Sequence, residues 1–544
     1  LNVILKNDQL IFDIKKAEYQ GKDVSKTKVH IYNLIAKGTG IVVDINANTI
    51  LDDSIHAVLH AFDIKVPITQ TAGKTQANVK LDIKFLPFGV ESYTGYFKIN
   101  DANISLSGVP MYSKNGYVEL DNGMIYLKDV NLQYNTIFDI YTSGDLNLTS
   151  GTYKSDNNIN SIHVNFDKLD LLHVEDLNTT ATMKIDDNGT SIYIDDLKTN
   201  IGFFNDNNKI TIDNLNLIYP YSPLMKKIDI KNGELKIDTF DFENYDVIAK
   251  LKEINLPLSQ DNEQIREIDL DIKTDGKNLK IISSDEKIKV TKEDDLQIVI
   301  KDTDITFDSS KYESSENIEK LTLTGINSNI IDTNLSIKIP SNYFVYESDG
   351  EEMRFSSNLF SQTIFFKQNN ENIYLTGENL TGMFVNSVIG KNIFEDGSFD
   401  LNVDGIDLKY FDGTLEIKNT TIKGMAFYNN LMAFMHTIPS LVTFKNPGFN
   451  DDGYKVTHAL LSFTREDEIL TINELKINGK SADVIGTGTL NLKTGVVDIT
   501  LQISVFKNLS SIVKAIPVVN YIFLGKDGKM YTNVQVKGTL KNQK

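Results

Sequence analysis

An eight-residue phrase recurs along this chain and narrows what it can fold into. In Ile210-Thr-Ile-Asp-Asn-Leu-Asn-Leu217, apolar residues stand at 210, 212, 215 and 217, two alternating pairs separated by one extra step. The phrase or a close relative returns at Ile125–Leu132, Leu235–Phe242 and Leu470–Ile477. Weaker copies, with Thr or Ala in one slot, lie at Phe97–Ile104, Ile192–Thr199, Ile298–Ile305 and Leu415–Ile422. Alternation with period two places apolar side chains on one face of a sheet and polar ones on the other. The extra step, filled by Asp, Asn, Glu or Thr, would flip the second half to the wrong face of a straight strand. A bulge or tight bend restores the face, and Asp and Asn tolerate that geometry. Each copy thus reads as a bent strand with one oily side.

The copies start at irregular intervals, which argues against a fixed-period solenoid and for hairpins of varied length. Turn signals such as Asp121-Asn-Gly123, Asp187-Asn-Gly189, Asn232-Gly233, Asp451-Asp-Gly453 and Asp527-Gly528 agree. The expected fold is all-β: a long, curved, mostly antiparallel sheet. Helical spacing is scarce. Leu431, Phe434, Met435, Ile438 and Leu441 suggest one short helix, and Phe506, Leu509, Val513 and Ile516 a second. Both read as caps over a sheet end or as membrane-contacting segments. Two such helices cannot cover the oily side of a sheet this large. Either two sheets face each other, or one sheet curls into a groove that something else fills. The candidate inward residues are Ile125, Leu127, Ile210, Ile212, Leu235, Ile237, Ile298, Ile300, Leu415, Ile417, Leu470 and Ile472, and core packing and groove lining share this signature.

Composition closes several other routes. Of 544 residues, Lys and Arg total 55 against 74 Asp and Glu, a net charge of −19, and Arg266, Arg354 and Arg465 are the only arginines. A chain so acidic and so poor in arginine is unsuited to gripping phosphate backbones, so no nucleic-acid partner is expected. The absence of cysteine removes disulfides, thiolate nucleophiles and Cys-ligated zinc. The absence of Trp weakens a sugar-binding reading, since indole faces commonly stack on pyranose rings. Hydrophobic residues at 41% support a folded protein. Leu1 rather than Met opens the chain, which reads as processed or trimmed, with no signal peptide in view. The most apolar stretch, Ile512 to Leu524, is interrupted by Lys514, Pro517 and Asn520 and is too short to span a bilayer.

Catalytic and metal motifs fail on inspection. His56 and His60 have the spacing of a zinc-protease helix, but residue 57 is Ala where a glutamate base belongs, and Val58, Phe62, Ile64 and Val66 alternate as a strand. Asp400–Gly405 opens like a calcium loop, yet Phe411 stands at the twelfth position. Gly479-Lys-Ser481 lacks the first glycine of a phosphate loop, having Glu474 there, and Gly486-Thr-Gly488 lacks the third of a dinucleotide fingerprint. The carboxylates fall on the polar phase of strands. No enzyme, cofactor or metal is expected.

Two stretches resemble the AsmA-like superfamily of bacterial envelope proteins, closest to its YhdP branch, with TamB more distant. The first runs from about Val66 to Leu148. It carries Pro67, Gly73-Lys-Thr75, Val79–Phe85, Gly95–Leu106 and Gly116-Tyr-Val-Glu-Leu120 in family order. The second, from about Gly397 to Leu540, carries Phe411–Ile417, the Leu431–Leu441 helix, Gly453-Tyr-Lys-Val456, Leu470–Ile477, Gly486–Leu492, the Ile516-Pro517 region and Val534–Leu540. The resemblance implies an open β-trough, or β-taco, in the periplasm, anchored to the inner membrane by an N-terminal helix that would precede Leu1. It further implies a bridge that carries phospholipids to the outer membrane, with envelope proteins near the C-terminus as partners. The expected segments are 1–150, like the family's central domain, 151–395, a continuing groove, and 396–544, the AsmA-like C-terminal module. The alternative is a structural or adhesive envelope protein of stacked β-sandwiches that bury their own oily faces.

Overall fold

The computed structural model describes all residues except 62–67, 107–108, 167–168, 187, 205–206, 242, 312–319, 424–452, 481, 506–529 and 540–544. The helix candidates at Leu431, Phe434, Met435 and Ile438 and at Phe506–Ile516 lie outside the described residues. The fold is all-β, with 33 strands in one mostly antiparallel open sheet. Among the described residues three short α-helices accompany it: α1 (Asp53–Ala61), α2 (Pro223–Lys227) and α3 (Gly382–Ile389). By contact the chain divides into two compact units. The first comprises Leu1–Leu256 and Arg266–Ser284, and the second Pro257–Ile265 and Asp285–Lys544.

The bend in the repeated phrase is a single left-handed residue. Asp101 (φ 46°), Asp129 (φ 49°), Asp302 (φ 49°) and Asn419 (φ 53°) occupy the fifth position of the copies that start at 97, 125, 298 and 415. Asp and Asn enter this region at low cost because their short side chains bond to nearby backbone. The strands Phe88–Leu106, Met124–Tyr134 and Tyr410–Ile422 run straight through such a bend. Ile469–Gly479 also runs through, with a register shift between Ile472 and Leu475.

Three copies in the first unit fold otherwise than as one bent strand. Ile192–Thr199 is a hairpin between Gly189–Ile194 and Thr199–Phe204. Its two aspartates form the turn, where Asp195 donates its N–H to Thr180 and Asp196 accepts from the Thr179 hydroxyl. Ile210–Leu217 leaves its strand after Ile212, because the Asn214 side chain accepts the Asn216 N–H and starts a 3-10 turn at Leu215–Leu217. In the Leu235 copy the strand ends at Thr239, and Phe240 is exposed. The α1 segment corrects another expectation. The stretch around Val58 is helix rather than strand, because the Asp52 carboxylate accepts the N–H groups of Ser54 and Ile55 at the helix start.

In the second unit the bend at Asp302 changes sheets. Leu296–Lys301 belongs to the large sheet, while Asp304–Phe307 joins a five-stranded sheet with Leu258–Gln260, Glu263–Gln264, Ile330–Asp332 and Ile337–Ile339. The chain returns to the large sheet at Leu321–Ile326, parallel to Leu296–Lys301. Neighbouring strands bend together, since Asn327 (φ 49°) donates from its side-chain amide to Asp302.

Candidate functional site

Register places the predicted apolar residues of the first unit side by side. Ile45, Val79, Gly95, Leu120, Ile125, Leu146 and Tyr153 are successive cross-strand partners. The row continues through Met183, Ile192, Ile201, Ile210, Ile237, Val247, Ile272 and Ile281, fifteen strands in all. An adjacent row holds Leu127, Gly144, Ser155, Ala181, Ile194, Thr199, Ile212 and Leu235. Ile125, Leu127, Ile210, Ile212, Leu235 and Ile237 therefore share one face. The row behind them is largely polar: Tyr126, Asp145, Lys154, Thr182, Tyr193, Asn200, Thr211 and Lys236. At ~4.8 Å per strand the apolar row follows about 65 Å of sheet.

The apolar face is the concave one. Phe203 packs against the cluster of Ala102, Ile104 and Met111, although six or seven strand spacings, about 30 Å on a flat sheet, separate them in pairing order. Burial pushes the Tyr245 phenol up, and Tyr134, eight strands away, adds to the shift. Burial also raises Tyr93 and Tyr153, and the Thr142 and Ser155 hydrogen bonds oppose the shift at Tyr153. One part of the face is closed, with Leu120, Ile125, Leu146 and Tyr153 buried as a cluster. Farther along, Ile192, Ile201, Ile210, Ile212, Leu235 and Ile237 are only half-buried.

The second unit repeats the arrangement with more cover. Val290, Ile298, Leu323, Tyr346, Phe355, Phe366, Leu375 and Val403 form one row. It runs on through Gly413, Phe463, Ile472 and Gly488. Ile300 and Leu415 lie in the neighbouring row, and Ile417 and Leu470 alternate onto the same face. Ile300 is 2% exposed, beside Gly325 and Phe344. The Phe344 ring lies so close over Gly325 that a Cβ there would meet it at 2.0 Å. Phe384, Val385 and Val388 of α3, with Ile339 of the small sheet, share a cluster with Leu415 and Ile417. These two are half-buried like the first unit's isoleucines at 210 and 212, but they pack against the buried Leu380, Phe384 and Phe399.

The alternation missed the cover itself. α3 carries no copy of the repeated phrase, the small sheet takes only the tail of one copy at Ile305, and a helix of eight residues offers too few turns for periodicity to register. Two of the motifs dismissed on sequence sit in strands. Asp400–Gly405 lies within Ser398–Asp407, and Gly486–Gly488 within Ala482–Asn491. The His56 ring bonds the Ile68 carbonyl at 2.9 Å. Among the described residues no helix is long and apolar enough to cross a membrane.

The YhdP protein family matches residues 1–160 and 147–544, which together span the sequence. The chain belongs to the YhdP family. This places it among the AsmA-like proteins of the bacterial envelope. No curated protein and no solved structure matches it. In this YhdP-family chain the one-faced strands foreseen from the repeated phrase are present, and the two apolar faces are its most extended chemical feature.

Proposed function

We propose that this chain is a non-enzymatic lipid carrier. Phospholipid acyl chains would lie along the concave apolar face, with head groups in water. The reading rests on one observation: an apolar row crossing strand after strand of the first unit, with a row of small and apolar residues beside it and a polar row behind. Burying acyl chains there gains ~0.8 kcal/mol per CH₂, and a nearly uniform row lets a lipid slide without a deep trap. Function between the inner and outer membranes, attachment through a helix outside this sequence, and hand-over to outer-membrane or envelope proteins belong to the same proposal and rest on the family. The sandwich alternative gains support where the face is closed, in the cluster around Leu120 and Ile125 and at Ile300, and where α3 packs beside Leu415 and Ile417.

Site-specific photo-cross-linking tests the proposal. A photoreactive residue at Ile210 or Ile237 should capture phospholipid in cells, and one at Thr211 or Lys236 should not. Equal capture from both faces, or none from either, would reject it.

A further inference from the structure

A cluster of titratable side chains lies on the polar face, where the strands Thr152–Phe166 and Leu169–Asp186 form a hairpin. His163 and His173 are direct cross-strand partners, with Ser161 opposite Glu175 one step along the same face. The imidazole rings stand 4.1 Å apart between centroids. Glu175 Oε1 is 3.0 Å from His173 Nε2 and 4.0 Å from His163 Nε2. The three ligand atoms all fall within 4.8 Å of one another. A tetrahedral zinc ion with bonds near 2.0–2.1 Å holds its donors about 3.3 Å apart, which the two measured separations bracket.

Two further observations point to a bound cation. His163 Nε2 is buried and has no hydrogen-bond partner, so a nitrogen able to donate its lone pair to a metal ion or take up a proton is left unused in the cluster. Asp170 Oδ2 lies 3.6 Å from His173 Nδ1, on the ring's far side from Glu175, and its own Oδ1 is likewise unpartnered. A carboxylate behind a ligating imidazole is the usual outer support of a metal site: it fixes the ring's tautomer and raises its basicity.

We propose that His163 Nε2, His173 Nε2 and Glu175 Oε1 bind a divalent transition-metal ion, with Asp170 orienting His173 and water filling the open position. Two imidazoles and a carboxylate without thiolate select zinc, copper or nickel over calcium or magnesium. The ion clips the two strands of the hairpin together on the outer face. The site is independent of the lipid proposal, because Ile162 and Val174, of the opposite phase, carry the inner face here.

Metal-stripped full chain titrated with Zn²⁺ should bind one ion saturably, with micromolar or tighter affinity, and Co²⁺ should give the visible bands of a tetrahedral site. His163→Ala and His173→Ala should abolish that binding, and Asp170→Asn should weaken it about 10- to 100-fold. His56→Ala with His60→Ala should leave it unchanged. Because both imidazoles are about 40% exposed, the variants should fold, and His163→Gln with circular dichroism provides the check. Absence of saturable binding, or binding that survives loss of both His163 and His173, would overturn the proposal.

Discussion

Asp52 shows how one carboxylate holds an element in place. Burial works against its charge, but the Lys22 ammonium, the Ser54 hydroxyl and the Ile55 N–H all favour the ionised form and hold its pKa at about 2. A folded-state pKa below the ordinary 3.8 contributes stability above that value, and this contribution is lost as pH falls through about 2. Asp52→Asn keeps a capping acceptor but removes the titration. The variant should be less stable than the parent at pH 6 by roughly 0.5–1 kcal/mol, and the two urea midpoints should converge by about pH 2. A gap that persists unchanged into acid would show that the Lys22 pair contributes nothing. The cap was invisible in sequence because Lys22 is thirty residues away, and the alternation of Val58 with Phe62 suggested a strand.

At the scale of the element, the left-handed Asp and Asn residues make the bends. Asp129 interrupts Met124–Tyr134 between Leu127 and Val130, so both halves keep their apolar side chains on one face. Asp129→Val should destabilise the first unit by about 1–2 kcal/mol, since a β-branched residue resists positive φ, whereas Asp129→Gly should be nearly neutral. Equal effects in thermal unfolding would mean that the bend carries no strain. The repeated phrase made these bends legible, because its extra step has no use in a straight strand. It could not distinguish a bend within a strand from a hairpin or a helical turn. Ile192–Thr199 and Ile210–Leu217 share the spacing, yet Asp195 and Asn214 find local hydrogen bonds that end the strand. The His163–His173 pairing was equally hidden, since hairpin partners can be any number of residues apart and only register reveals them.

For the molecule as a whole, fold class followed from alternation and the family from an ordered series of short phrases. The extent of cover did not. The same apolar phase is half-buried at Ile212, half-buried but packed against the α3 cluster at Leu415, and fully enclosed at Ile300. That difference depends on what lies above the sheet, which period-two spacing does not encode. A carrier needs the half-buried kind of surface, and the first unit supplies it over the longest run. The decisive measurement is the number of phospholipids retained per chain after purification without detergent, by quantitative mass spectrometry, for the parent and for Ile212→Asp. The parent should hold several, and Ile212→Asp should lose most of them while keeping its folded circular dichroism spectrum, because a charge on an open face can reach water. A lipid-free parent, or an Ile212→Asp variant that unfolds, would show that this face is closed core and contradict the account.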